Sequence, residues 1–202
     1  MKSLALAFAL ASSLALALPL APAFASVETV EAIVTANDAA GDARRELRST
    51  FGKSGLKNGE YVWQNGAANV TRVVVDLSAQ MAYVYSGDEL IGATTVSSGD
   101  AQHLSPIGIF TVIEKRKDGF SKKYDNAPMP FMQRIDDYGI ALHAGKLPGR
   151  PASHGCVRLP REFAAKLFAA TTVGTGVWIA EPNGHGTAAS SIALNDSKDG
   201  AG

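Results

Sequence analysis

The 202-residue chain contains one cysteine, Cys156, and two of its four histidines, His143 and His154, lie within thirteen positions of it. The stretch Ile140–Pro160, IALHAGKLPGRPASHGCVRLP, reads as an apolar strand ending in His143, then a Gly/Pro-rich loop over 144–152. The turn Ser153-His154-Gly155-Cys156 follows and delivers the thiol just ahead of a helical pattern. A lone thiol with imidazoles brought beside it is a candidate nucleophile-and-base pair for attack on a carbonyl. A free thiol, with a pKa near ~8.5, is only a few per cent thiolate at neutral pH, so a neighbouring base is needed. Both histidines are candidates on residue type. Gly155 lets a substrate approach the backbone closely, and the N–H groups of Gly155 and Cys156 are candidate donors to an oxyanion. Ser153 fits a hydrogen bond inside the turn. Arg158 offers a planar fork suited either to a substrate carboxylate or to a structural ion pair. The rival reading is a zinc site of His143, His154 and Cys156 with one open position. His154 and Cys156 flank a glycine in one tight turn, and no Asp, Glu or second Cys completes a familiar spacing. No metal and no cofactor is therefore expected.

The N-terminus bears on how the thiol is read. Lys2, the apolar run Leu4–Leu20 and Ala21-Pro22-Ala23-Phe24-Ala25 form a charged segment, an apolar segment and an Ala-x-Ala site, so residues 1–25 are expected to be a signal peptide cut before Ser26. In an oxidising compartment thiols tend to pair, and this one has no intramolecular partner. A glycine- and histidine-rich neighbourhood argues against core packing and for a thiol kept for reactivity. Lys+Arg and Asp+Glu both number 19, a balance that gives no sign of a nucleic-acid or polybasic membrane surface.

The elements that must position these residues begin after a mixed segment, 26–69, read as a leader or linker. Within it Asp42–Thr50 is expected as a short helix and Gly59–Trp63 as a short strand whose aromatics dock on the domain. From Thr71 the pattern is β: Arg72–Leu77, Met81–Tyr85 and Leu90–Val96, joined by Ser78-Ala79-Gln80 and Ser86-Gly87-Asp88 into a meander of hairpins. Ser97–Ser105 reads as a polar loop, Ile109–Lys115 as a strand and Arg116–Asn126 as a charged excursion. Ala127–Phe131 reads as a rigid loop, its two prolines denying it a regular ladder. Tyr138, His103 and Met129–Phe131 are further candidates to line a cleft. After Pro160, Phe163, Leu167 and Phe168 mark one helical face as far as Gly174, and Val177–Ala180 is a closing strand. Residues 182–202, including His185, are poor in large apolar side chains and are expected to be disordered. Many short strands and few helices place a mostly β domain at 70–181.

Ser153-His154-Gly155-Cys156-Val157-Arg158-Leu159 resembles the signature of the L,D-transpeptidase catalytic domain, also called the YkuD domain. Val75–Gln80, Ser97-Ser98-Gly99 and Ser105–Phe110 resemble the same family in the same order, so the resemblance spans roughly Arg72 to Ile179. It implies an L,D-transpeptidase-type β-sandwich, mostly β with one or two short helices, with the cysteine at the mouth of a cleft. It also implies that His143 is the base and that His154 shapes the site. The implied activity is that of an exported, periplasmic or wall-associated enzyme acting on peptidoglycan stem peptides. Cys156 would attack the third residue of a tetrapeptide stem, release D-alanine and hold a thioester until an amine of a second stem forms a 3→3 cross-link. A lipoprotein lysine or a D-amino acid would be other acceptors. Water as acceptor would make an L,D-carboxypeptidase or amidase, and a catalytically silent wall-binding protein is the reading from another class. Two departures stand out: thirteen positions from His143 to Cys156, shorter than in many members, and Arg158 where some branches carry Asn.

Overall fold

The computed structural model describes residues 26–182. The expected signal peptide, and the tail from residue 183 onward with His185, lie outside the described residues. In chain order the elements are β1 (Ser26–Val27), α1 (Val30–Phe51), β2 (Tyr61–Trp63), β3 (Arg72–Asp76), β4 (Met81–Ser86), β5 (Glu89–Thr95), β6 (Gly108–Thr111), β7 (Glu114–Phe120), β8 (Pro128–Arg134), β9 (Ala141–Ala144), β10 (Val157–Leu159), α2 (Arg161–Ala170) and β11 (Gly176–Ala180). Seven strands form one sheet in the order β1-β6-β11-β3-β4-β5-β2, and β10-β9-β8-β7 form a second.

The β-branched run of β3 has both faces covered, so it reads as continuously apolar and not alternating. Val73 and Val75 point to the inner side, with Val84, Phe110 and Ile179 of neighbouring strands. They meet Leu142, Val157 and Leu159 of the four-stranded sheet and Phe163 and Leu167 of α2. Tyr61 and Trp63 of β2 set their rings edge-on against Phe163, at centroid distances of 5.8 and 5.4 Å. The architecture is a mostly β sandwich.

The outer side of the large sheet, with Val74, Tyr83, Tyr85 and Leu90, is covered by α1 through Ala36, Ala40, Ala43 and Leu47. One of the two helices is therefore long: it runs 22 residues where a short helix over Asp42–Thr50 is expected from sequence. Its buried face is built from alanines at helical spacing, a weak apolar signal, and it starts where the Thr29 side chain accepts the Ala32 N–H at 3.2 Å.

Two more expectations are corrected. The strand expected over Ile109–Lys115 is two strands in different sheets. Val112 N–H donates to Thr175 O and the next residue, Ile113, donates to Arg134 O, so the chain changes sheets at that point. Apart from Ala127, the segment 127–131 is strand and not loop: Pro128–Phe131 open β8, with Pro128 opposite Phe120 and Pro130 opposite Asp118. Only Gln133 and Arg134 of β8 pair with β9, so its first half is an edge strand, where a missing N–H costs nothing in the ladder.

Helix α2 starts after Pro160, buries Phe163, Ala164 and Leu167, and ends at Ala170 with no basic residue in its last turn. Lys115 of β7 supplies the missing charge: its ammonium donates to Phe168 O at 2.6 Å and Thr171 O at 2.5 Å and lies over the Phe168 ring. Desolvation holds its pKa below the ordinary lysine value. Lys115→Met keeps the stem and removes two charge-assisted bonds at a helix C-terminus, so we expect a loss of about 2 kcal/mol in urea unfolding. An unchanged midpoint would show that water replaces the ammonium without cost.

Candidate active site

The parallel pairing of β10 with β9 sets Val157 beside Leu142 and Arg158 beside His143. Leu142 and Val157 face the core, so strand alternation puts Ala141, His143, Cys156 and Arg158 on the opposite face. Cys156 packs there against Met129, Met132 and Ala141. The fold thus places Cys156 and His143 on one face of two adjacent strands, while His143 does not itself line the cleft described below.

His143 is buried, and its Nδ1 lies 2.9 Å from Ala144 O. A carbonyl can only accept, so Nδ1 carries the proton and Nε2 of the neutral ring is left as the basic nitrogen. Burial holds the His143 pKa below the ordinary histidine value, and the Arg158 guanidinium pushes the same way. Cys156 is half-buried, with its thiol 3.8 Å from Gly139 O. Burial raises its pKa, while a hydrogen bond from the Ala141 backbone favours the thiolate. Both shifts favour the uncharged forms, so the resting pair is thiol and neutral imidazole.

This has a direct consequence for pH. Alkylation of Cys156 by iodoacetamide is expected to be slow at pH 7 and to rise toward a midpoint above that of a free thiol. Any reaction that draws on neutral His143 as a base is expected to keep its rate to a lower pH than a free imidazole would allow, because the pKa is lowered. A thiolate plateau already reached at pH 7 would contradict both assignments.

The turn carrying the thiol is hung on the loop of Ser97, Ser98 and Gly99. Ser97 and Arg158 exchange backbone bonds at 3.0 Å, Ala152 and Ser153 donate to Ser98 O, and Asp100 N–H donates to Ser153 O. The Gln80 side chain braces this loop by accepting from Ser98 N–H and donating to Ser98 Oγ. Ser153 is buried; its hydroxyl donates to Cys156 O and accepts the Gly155 N–H at 3.1 Å. This corrects the expectation for Gly155: its N–H is engaged inside the turn and does not face a substrate. The remaining N–H of the pair is that of Cys156.

His154 does not join His143. Its ring stacks on Tyr124 at 4.4 Å and meets His103 at 4.5 Å, and His103 Nδ1 is 2.9 Å from the Asp100 carboxylate. Among the described residues no three of His, Cys, Asp and Glu are arranged to hold a metal ion. Arg158 lies with its side chain against Gly145, where an added Cβ would come within 2.8 Å of its Cγ. It does not line the cleft that holds the thiol.

That cleft, about 330 Å³, is walled by Cys156, His154, Gly139, Ile140 and the β7–β8 hairpin. Met129 and Tyr138, expected from sequence, line it. Glu114, Arg116, Lys122, Lys123, Tyr124 and Arg134 line it as well and were not anticipated individually. Arg134 and Arg116 both pair with Glu114 and hold its carboxyl below the usual range, while Lys122 and Lys123 sit on the exposed tip. The charged run Arg116–Asn126 is the sequence signal for this wall, hidden by the prolines that disguised β8.

Comparison with known proteins agrees with the geometry. The sequence profile of the L,D-transpeptidase catalytic domain (YkuD) matches residues 70–179. No curated protein matches the chain. Among solved structures, an L,D-transpeptidase (Yku) from Stackebrandtia nassauensis shares 26% identity with a TM-score of 0.52, covering 69% of this chain and 65% of its own. An L,D-transpeptidase from Mycobacterium smegmatis shares 20% at a TM-score of 0.51, over 56% of this chain and 59% of that one. One from Xylanimonas cellulosilytica DSM 15894 shares 23% at 0.50, over 58% and 63%. The chain thus spans less than two thirds of the length of each of these relatives. Four-strand and seven-strand sheets closed around a Ser-His-Gly-Cys turn, together with a profile match over more than half of its length, establish that the chain belongs to the L,D-transpeptidase catalytic domain (YkuD) family.

Proposed function

We propose that the protein is an exported peptidoglycan L,D-transpeptidase that forms 3→3 cross-links through a thioester on Cys156. The observation that carries this reading is the placement of Cys156 and His143 on one face of the β9–β10 pair, with Nδ1 of His143 tied to Ala144 O. His143 Nε2 accepts the thiol proton as the sulfur attacks the carbonyl of the third residue of a tetrapeptide stem. The terminal D-alanine leaves as the amine, taking that proton, and the acyl group remains on sulfur. An amine of a second stem, deprotonated by His143, attacks the thioester and releases the thiol. The bond energy of the cleaved peptide is kept in the thioester, so no nucleotide is needed.

The cleft fits an acidic peptide. Arg116, Lys122, Lys123 and Arg134 outnumber Glu114 and Asp137 along its wall, and stem peptides carry carboxylates. Export rests on the N-terminal pattern.

Incubation of residues 26–202 with a disaccharide-tetrapeptide, read by mass spectrometry, tests the proposal. A dimer lacking one D-alanine is the expected product. Tripeptide alone would assign the protein to the hydrolases, and unchanged substrate with a free thiol would favour a wall-binding role.

A further inference from the structure

We propose that Ser105 is a positioning residue that fixes the Gly155–Cys156 peptide and so aims the Cys156 N–H that serves as oxyanion donor. This rests on the acyl-transfer reading above and adds a residue to it. Ser105 is buried and stands outside the cleft, fifty positions before Gly155. Its Oγ accepts the Gly99 N–H at 2.9 Å and donates to Gly155 O at 2.7 Å. A hydroxyl has one proton, so the incoming bond from Gly99 directs that proton to Gly155 O.

The backbone around the thiol is then held by two hydroxyls. Ser105 holds Gly155 O, while Ser153 holds Gly155 N–H and Cys156 O. The Gly155–Cys156 peptide is trans, so its C=O and N–H lie in the peptide plane and point in opposite directions. Anchoring the carbonyl to Ser105 therefore turns the Cys156 N–H away from Ser105 and leaves it as the group of this turn that can meet a developing oxyanion. Gly155 sits at φ +104°, a region glycine enters freely, so its own conformation does not prevent the peptide from flipping. The bond from Ser105 does. Gly99 is part of the same device: an added Cβ would come within 2.0 Å of His103 O and 2.7 Å of Ser105 N, so the loop closes tightly enough to press its N–H onto the hydroxyl.

The test compares Ser105→Ala with wild type by two rates on the full mature chain. Single-turnover acylation by the disaccharide-tetrapeptide, followed by intact mass, needs the oxyanion donor. Alkylation by iodoacetamide, a displacement at a saturated carbon, needs only the thiolate. Ser105→Ala is expected to slow acylation about 10- to 100-fold, short of the roughly 10²–10³ seen when an oxyanion donor is removed outright. Alkylation and its pH profile should stay within twofold. Ser105→Thr, which keeps the hydroxyl, should restore acylation, and Ser105→Val, of the same shape as Thr, should not. The Thr/Val pair carries the comparison if the alanine variant does not fold. Acylation of Ser105→Ala at the wild-type rate would overturn the proposal, as would a parallel fall in both rates or equal behaviour of Thr and Val. Failure of wild type to acylate at all would instead overturn the acyl-transfer reading.

Discussion

Cys156→Ala is expected to abolish the acyl-enzyme and cut cross-linking on the order of 10⁴-fold or more, the scale on which covalent catalysts lose activity without their nucleophile. The chain has no second cysteine to take over. The turn should survive the change, because Ser153, Ser98 and Arg158 hold it through backbone bonds that do not involve the sulfur. Loss of activity without loss of the folded state is therefore the expected signature, read by turnover beside thermal unfolding. His143→Ala removes the proposed base and is expected to cost about 10²–10⁴ in turnover, the usual span for a general base. A His154→Ala variant that lost as much would exchange the roles assigned to the two histidines.

The second large effect concerns the helix that lies outside the profile match. Asp76 ends β3 fully buried; one carboxylate oxygen accepts the Ala79 N–H at 2.9 Å and the other is held by Arg44 of α1 at 2.6 Å. Arg44→Met would leave that second oxygen buried and charged. Removing one partner of a buried pair costs about 3–5 kcal/mol. The Arg44 side chain is 36% exposed, so solvent screens part of the interaction, and we expect a smaller loss than that, about 2–3 kcal/mol. The double variant Arg44→Met/Asp76→Leu should recover part of it, because the uncompensated charge is gone. Urea unfolding of the single and double variants checks this. An Arg44→Met protein as stable as wild type would mean that α1 is an appendage and not part of the core.

How much of this was legible in the chain depends on where the information sits. Cys156, His143 and the strand–loop–turn that joins them lie within one short stretch, and the pairing of β10 beside β9 follows from that local order. The meander β3–β5 was equally plain, because β-branched runs alternate with tight turns. Helix α1 was largely hidden, since Ala36, Ala40 and Ala43 are small enough to press on a sheet but too weakly apolar to announce a face. The cleft wall was misread because Pro128 and Pro130 argue against a strand, and only the pairing pattern reveals that they lie on an edge. The Gly155 N–H looked like an oxyanion donor because sequence shows the residue and not its partner. Which of two adjacent N–H groups is free depends on where the Ser153 and Ser105 hydroxyls point, and that is a property of the folded turn.

The proposed chemistry requires Cys156 to carry the acyl group. Intact-protein mass spectrometry of residues 26–202 after brief exposure to a disaccharide-tetrapeptide without added acceptor, followed by peptide mapping, tests this. The expected product is a single adduct equal to the donor minus D-alanine, on the peptide containing Cys156, discharged by hydroxylamine and absent from Cys156→Ala. An adduct on another residue, or tripeptide released at the wild-type rate by Cys156→Ala, would contradict it.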